Sequence, residues 1–389
     1  MGQLLEAIAD PQNLARAWLK VKANAGAAGI DNQSITAFDK DRERQLQSLR
    51  RRLLSPERYV PLAVRRVEIP KPDGRTRPLG IPTVSDRVVQ QATRQVIEPI
   101  FEAQFLPCSF GYRPGKSAKK AVWWAREAIR RGDRFVAEFD IVSFFDNLSH
   151  PRLLREVEKH VDDKEVIGLI RRWLKARVLT QSGYISTTSG TPQGGVISPL
   201  LANIYLHRLD VEVRGAGLRL IRYADDFVIL ADKRWKAEAA DRLVRSILSD
   251  IGLDGSAEKS GVKKVSVGFE FLGFTFQGRF LRPRPRSLAS FKDQVRSRTR
   301  RKAPVSMQTM IRQLNPVLRG WGNYFAVGDV ISKFEDLDKW IRMRLRSKAR
   351  RRGISKRGMD SDKWPNAAFD RLGLVRLEHL ARRVHYSPA

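Results

Sequence analysis

Three acidic side chains carry the first chemical signal. Asp140 closes the alternating run Arg134-Phe-Val-Ala-Glu-Phe-Asp140, and Asp225-Asp226 interrupt two apolar runs in Arg219-Leu-Ile-Arg-Tyr-Ala-Asp-Asp-Phe-Val-Ile-Leu230. Each acid stands at the end of a strand-like segment, where a carboxylate is exposed at a sheet edge, so a sheet can bring together residues 85 positions apart in the chain. Crowded carboxylates repel one another, and a divalent cation relieves the repulsion. Two such ions about 3.5–4 Å apart can activate an attacking 3′-hydroxyl and stabilise a departing pyrophosphate. A single strand-end Asp is usually a turn former. Two adjacent acids are a poor choice for an apolar hairpin, which would ordinarily turn on Asn-Gly or Asp-Gly.

The other donors in the chain leave the metal to these acids. Cys108 is the only cysteine, which excludes an internal disulfide and a cysteine-based zinc site. His150, His160, His207, His379 and His385 do not fall at metal-ligand spacing. Carboxylate ligation points to Mg²⁺, with Mn²⁺ as a possible substitute.

The 389 residues carry 73 Lys and Arg against 42 Asp and Glu, a net charge of +31, unlike an ordinary acidic or neutral metabolic enzyme. With 42% apolar residues the chain can bury real cores, two or three at the usual domain size. The charge is concentrated late: residues 279–389 hold 28 of the basic residues and 9 of the acids. That asymmetry is expected of a surface that binds a phosphate backbone. No apolar run approaches the ~18 residues of a membrane span, and the N-terminus lacks a signal-peptide pattern. A soluble, cytoplasmic protein is expected.

Elements that could position the acids are legible around them. Ser85 can cap a helix whose stripe is Val88, Val89, Ala92, Val96, Ile97 and Ile100. Ala63 to Pro70 alternates apolar and basic residues before the turn Lys71-Pro-Asp-Gly74, a basic β-ribbon. Thr191-Pro-Gln-Gly-Gly195 is a glycine-rich loop before a helix at Pro199 to Leu209. Strand, helix and hairpin suggest an antiparallel sheet backed by helices. From about Arg279 the period is helical, and Pro283, Pro285 and Pro304 mark the expected domain boundary.

Six segments in order carry a family resemblance. They are Ile69-Pro-Lys-Pro-Asp-Gly-Arg-Thr-Arg-Pro-Leu-Gly-Ile-Pro82, Ser109-Phe-Gly-Tyr-Arg-Pro-Gly-Lys-Ser117, Phe139-Asp-Ile-Val-Ser-Phe-Phe-Asp-Asn147, Gly190-Thr-Pro-Gln-Gly-Gly-Val-Ile-Ser-Pro199, Tyr223-Ala-Asp-Asp226 and Phe271-Leu-Gly-Phe274. Together they resemble bacterial group II intron-encoded reverse transcriptase/maturases over roughly residues 20–330. The resemblance implies an α+β, right-hand polymerase fold. Residues 1–130 would form an N-terminal extension and fingers. Residues 131–278 would form a palm on an RRM-like antiparallel sheet, with a fingers segment interleaved at about 150–190. Residues 279–389 would form a basic helical thumb, or maturase, domain.

The resemblance also implies roles. Asp140, Asp225 and Asp226 match the metal-binding acids, with the Ile141 carbonyl as a backbone ligand to two Mg²⁺ ions. Lys71 and Arg77 match fingers residues that grip the incoming triphosphate, and Gln193 matches the glutamine lying over the nucleotide. Phe145 stands where the family carries an aromatic gate against a 2′-hydroxyl; the alternative is that Phe144 and Phe145 are core and surface positions of a helix start. Lys259 matches the late-palm lysine proposed to protonate pyrophosphate, although Ser260 replaces the commoner Thr; the alternative is an exposed lysine. Phe271, Leu272, Gly273 and Phe274 resemble the primer grip, where Gly273 would admit the primer strand closely; the alternative is a buried strand.

The implied partners are an RNA template, a DNA or RNA primer, dNTPs and a structured intron-like RNA, without membrane or zinc. Two basic runs, residues 279–302 and 342–357, flank the pattern Ile311, Leu314, Val317, Leu318, Trp321 and argue for a groove-lining bundle rather than a solvated face. No signature of a further DNA-binding region or His/Cys endonuclease domain follows, which argues against autonomous second-strand cleavage. The competing readings are a maturase or domesticated defence-related protein in which polymerisation is secondary, and an RNA-dependent RNA polymerase, which an aromatic gate disfavours.

Overall fold

The computed structural model describes residues 2–386 apart from 56, 58, 71–73, 75, 257–259 and 351–363. Alternating and β-branched segments form the strands β1 (Val64–Pro70), β2 (Thr76–Ile81), β3 (Phe135–Asp140), β4 (Val178–Thr180), β5 (Gly183–Ile185), β6 (Arg219–Tyr223), β7 (Asp226–Ala231), β8 (Gly261–Lys264), β9 (Phe269–Phe271), β10 (Phe274–Gln277) and β11 (Phe280–Pro283). They make three sheets, ordered β2-β1-β4-β5, β6-β7-β3-β8 and β11-β10-β9. The first two pair β1 with β2 and β6 with β7 antiparallel, while β1 and β4 run parallel.

The chain divides into two compact units, one of residues 1–118, 137–231 and 235–262, the other of 119–136, 232–234 and 263–389. The second unit thus takes in residues well upstream of the proline-marked junction at 283–304.

In the first unit the helix Val84–Glu102 begins two residues earlier than the sequence pattern suggested. Thr83, extended and following Pro82, accepts from Asp86 N and is the cap in place of Ser85. The buried face of this helix includes Val88, Val89, Ala92, Ile97 and Phe101, so the apolar stripe packs as its period requires. A continuous core joins it to the helix Ser198–Gly215 and to the palm strands, where Phe139 of β3 stacks on Phe227 of β7 at 5.0 Å. That stack lies one position before Asp140 on β3 and one after Asp226 on β7. Packing across the sheet therefore registers the two acidic strand ends against each other.

In the second unit the helices Pro285–Arg298 and Met307–Phe325 pack through Phe291 and Trp321, 4.1 Å apart and stacked. The described part of the late basic run belongs to the helix Ile331–Arg350 and is turned onto its own unit. Arg344 donates to Thr299 Oγ1 at 2.8 Å and lies over the Trp340 ring, Arg346 donates to Trp364 O at 2.9 Å, and Lys348 donates to Ala303 O at 2.7 Å. Long cationic side chains here bond to oxygens of their own unit; residues 351–357 of the run lie outside the described residues. Among the described residues no helix is long and apolar enough to cross a membrane.

Candidate active site

The acidic hairpin closes on two residues, since Tyr223 pairs with Asp226 and leaves Ala224 and Asp225 at the turn. Ala224 adopts φ +58, the left-handed region that such turns normally give to Gly, Asn or Asp. A hydrogen bond and a close backbone approach hold it there, both backed by a buried network. Arg222 Nη1 donates to Ala224 O at 3.0 Å. The same guanidinium is bidentate on Asp210 at 2.7 and 2.5 Å and donates to Asn203 Oδ1 at 3.1 Å. Asn203 in turn donates to Gly111 O at 2.8 Å, and Gly111 lies so close to the turn that a Cβ there would sit 2.4 Å from Ala224 N.

Arg222 and Asp210 are both 0% exposed. A buried charge pair of this kind persists only when its hydrogen bonds are saturated, and here one donor of the fork is diverted to the acidic turn. The backbone of Arg222 is also bound: its N–H donates to Cys108 O at 2.9 Å and its carbonyl accepts from Phe110 N at 2.8 Å.

Asp140 ends β3 beside a second strand-like pairing. Ser256 N donates to Asp140 O at 2.8 Å, Val142 N donates to Asp254 O at 2.9 Å, and Ile141 is the bridged residue between them. Burial raises the proton affinity of Asp225, and the charge of Asp140 raises it further, while a backbone hydrogen bond, Arg77 and Arg222 act in the other direction. Asp140 and Arg77 are therefore each within electrostatic reach of Asp225. Among the described residues no group of three or more His, Cys, Asp or Glu could hold a metal ion. The Asp140–Asp225 repulsion is nonetheless what a bound cation would relieve, and their hard oxygen donors suit a divalent ion.

The residues expected to meet the nucleotide form a second cluster. Arg77 on β2 donates through Nε to Gln193 Oε1 at 2.6 Å. Gly80 N donates to Gln193 O at 2.7 Å, and a Cβ on Gly194, where φ is +118, would sit 2.4 Å from Gly80 O. The loop is fixed from its other side by Gln90, whose Oε1 accepts from Val196 N at 2.8 Å. Phe145 is 8% exposed and Phe144 2%, edge to face at 5.2 Å and both within the hydrophobic core. The Phe145 carbonyl accepts from Thr191 N at 2.7 Å, tying the short helix Phe144–Asn147 to the Gln193 loop.

Lys71 and Lys259 lie outside the described residues. The Phe271-Leu-Gly-Phe274 turn belongs to the second unit. Leu272 and Gly273 there have φ +48 and +81, and Tyr324 Oη donates to Leu272 O at 2.8 Å. Phe271 and Phe274 are buried and face the core of that unit.

Sequence reasoning missed Asp210, Asn203, Arg222 and Tyr112. The signal for Arg222 was present: an arginine inside an otherwise apolar strand must find an acid when the strand is buried. Tyr112 has φ +59, is 44% exposed, and its ring lies 6.1 Å from that of Tyr223. Burial and the Asp225 charge push its phenol above the ordinary range.

A carboxylate pair at the mouth of an antiparallel palm sheet, faced by a basic ribbon bonded to a glycine-rich loop, defines a nucleotidyl-transferring polymerase. The chain belongs to the reverse transcriptases of the group II intron-like lineage: residues 69–276 match the reverse transcriptase (RNA-dependent DNA polymerase) family, and residues 288–364 match the group II intron maturase-specific domain. Protein YkfC of Escherichia coli (strain K12) is 33% identical over 326 residues, 73% of this chain and 84% of that one. The group II intron-encoded protein LtrA of Lactococcus lactis subsp. cremoris is 39% identical over 201 residues, which cover 50% of this chain and 32% of LtrA. An uncharacterized 91 kDa protein in the cob intron of Schizosaccharomyces pombe is 36% identical over 203 residues, 50% of this chain and 24% of that protein. The fold is thus the α+β right-hand polymerase, the enzyme class is RNA-directed DNA polymerase with a maturase role, and the family works with divalent metal ions on RNA.

Proposed function

We propose that the chain extends the 3′-hydroxyl of a DNA or RNA primer with dNTPs on an RNA template, using two Mg²⁺ ions, and that it also binds a structured intron-like RNA. The observation that carries this reading is that β3 and β7 are neighbours, held in register by the Phe139–Phe227 stack, so that Asp140 ends one strand beside the turn that carries Asp225.

Asp140 and Asp225 would hold the ions, with the Ile141 carbonyl as an additional ligand, and Asp226 is assigned to them from its sequence position. When bound, such ions lower the pKa of the attacking hydroxyl and offset charge on the departing pyrophosphate. The chain itself supplies position. Arg77 exchanges its Gln193 partner for the triphosphate, where a guanidinium forms charge-assisted bonds stronger than the one it leaves. Gln193 is thereby freed to face the nucleotide, and Lys71 and Lys259 are assigned to phosphate binding and leaving-group protonation from their sequence positions. Residues 271–274 are assigned to the primer strand on the same ground.

The gate assignment has a direct test. Phe145 packs in the core with its carbonyl on the Gln193 loop, and its ring is assigned to the gate from its sequence position. Phe145→Val should raise ribonucleotide incorporation relative to dNTP by about tenfold or more, since one hydroxyl contact is decided by shape alone. Single-nucleotide extension with rNTP and dNTP in parallel measures the ratio; an unchanged ratio in a folded variant removes Phe145 from the gate.

A further inference from the structure

Tyr112 is more heavily anchored than an exposed loop residue needs to be. The next residue, Arg113, is 9% exposed and grips Glu102 through Nε and Nη2 at 3.0 and 2.7 Å, with Nη1 on the carbonyls of Leu106 and Ser109 at 2.6 and 2.9 Å. The preceding residue, Gly111, is bonded by Asn203 and pressed against Ala224. Arg94 Nη2 donates to the Tyr112 carbonyl itself at 3.2 Å. Two residues earlier, Phe110 is paired to the backbone of Arg222. The whole segment is thus bolted to the strand that carries the acids.

What this anchoring achieves is to hold a bulky residue at φ +59, a conformation such side chains rarely adopt. Burial does not explain it, because 44% of Tyr112 stays exposed. The ring instead stands beside Tyr223, tilted by 46° at 6.1 Å and within reach of the Asp225 charge. Strain sustained by surrounding bonds is characteristic of groups that a site requires in one place.

We propose that Tyr112 is a substrate-contacting residue: with Tyr223 it forms a two-ring floor that supports the terminal base pair of primer and RNA template. This rests on the polymerase reading above. Aromatic faces hold bases and sugars without regard to sequence, as a polymerase that copies any template requires. The phenol hydroxyl can in addition donate to or accept from a base edge or a ribose.

The test is primer extension on an RNA template by the full chain, comparing wild type, Asp225→Asn, Tyr112→Gly and Tyr112→Phe. Glycine tolerates the left-handed backbone, so Tyr112→Gly should melt no lower than wild type. Its KM for the primer–template duplex should rise about tenfold, the cost of one lost stacking contact, with KM for dNTP unchanged. Tyr112→Phe, which keeps the ring, should restore most of the duplex affinity. Tyr112→Asn, which also tolerates positive φ, repeats the measurement in a second background. A duplex KM within twofold of wild type in Tyr112→Gly overturns the proposal, as does a fall in melting temperature in both the Gly and Asn variants, which would make the ring a packing element. Should wild type itself extend no better than Asp225→Asn, the polymerase reading fails instead, and the two failures are distinguishable.

Discussion

Asp225→Asn lowers primer extension by about 10³-fold or more while leaving RNA affinity within about twofold, and it raises the melting temperature of the metal-free protein at neutral pH. The first effect follows from removing a charged oxygen donor from the place where a cation must sit. RNA affinity survives because it comes from basic and aromatic surfaces that the substitution does not touch. The stability gain follows from the sign of the pKa shift. Burial first, and the Asp140 charge second, raise the folded Asp225 carboxyl above its ordinary value of 3.8.

The folded protein therefore binds a proton more readily than the unfolded chain does. The contribution of Asp225 to stability is fully present below 3.8 and is lost as pH rises through the folded value. Asparagine stays neutral, so its advantage appears as the pH rises above 3.8 and is absent below it. Thermal melts in chelator across that range measure it. Extension at wild-type rates by Asp225→Asn would falsify the metal assignment, and a melting temperature lowered at neutral pH would contradict the electrostatic account.

Arg222 gives the second large effect. Arg222→Met alone should destabilise the fold by about 3–5 kcal/mol, because it strands Asp210 as an unpaired charge at 0% exposure. Pairing it with Asp210→Leu removes both charges, and apolar replacement of a buried pair is often neutral, so the double variant should regain most of the lost stability. It should still extend primers about 10²-fold more slowly, because the bond from Arg222 to Ala224 O that fixes the turn is gone and small displacements of reacting groups are costly. The KM for dNTP should stay near wild type, since Arg77 and Gln193 are intact. Denaturant melts and single-turnover extension separate the two effects; full-speed extension by a folded double variant would show that the arginine serves stability alone.

The contrast between Asp225 and Arg222 shows what the sequence exposes and what it hides. Asp140 and Asp225-Asp226 were legible because strands alternate with period two, and acids at the ends of apolar runs break that pattern visibly. The β1–β2 ribbon, the β6–β7 hairpin and the Phe271–Phe274 turn were legible for the same local reason. Arg222 needed Asp210, twelve residues earlier on a helix, and Asn203 a further turn and more away; that pairing exists only after the helix packs on the strand. Thr83 and Ser85 are chemically equivalent caps, and only the position of Pro82 and the course of the backbone chose between them. The orientation of Phe145 and the engagement of Arg344, Arg346 and Lys348 with nearby loops depend on packing that no spacing encodes. The inclusion of residues 119–136 in the second unit depends on long-range contacts of the same kind.

The bond from Gly80 N to Gln193 O and the absence of room at Gly194 have a mechanical consequence. Ribbon and loop are stitched edge to edge, so the arm carrying Arg77 cannot swing as a hinged flap while Gln193 stays behind. Substrate capture must then occur by a shared displacement of both, or by side-chain exchange over a stationary backbone. Spin labels at the exposed positions Thr76 and Thr188 should accordingly report one unchanging separation with and without dNTP, and a separation that lengthens on dNTP addition would mean that the stitch opens.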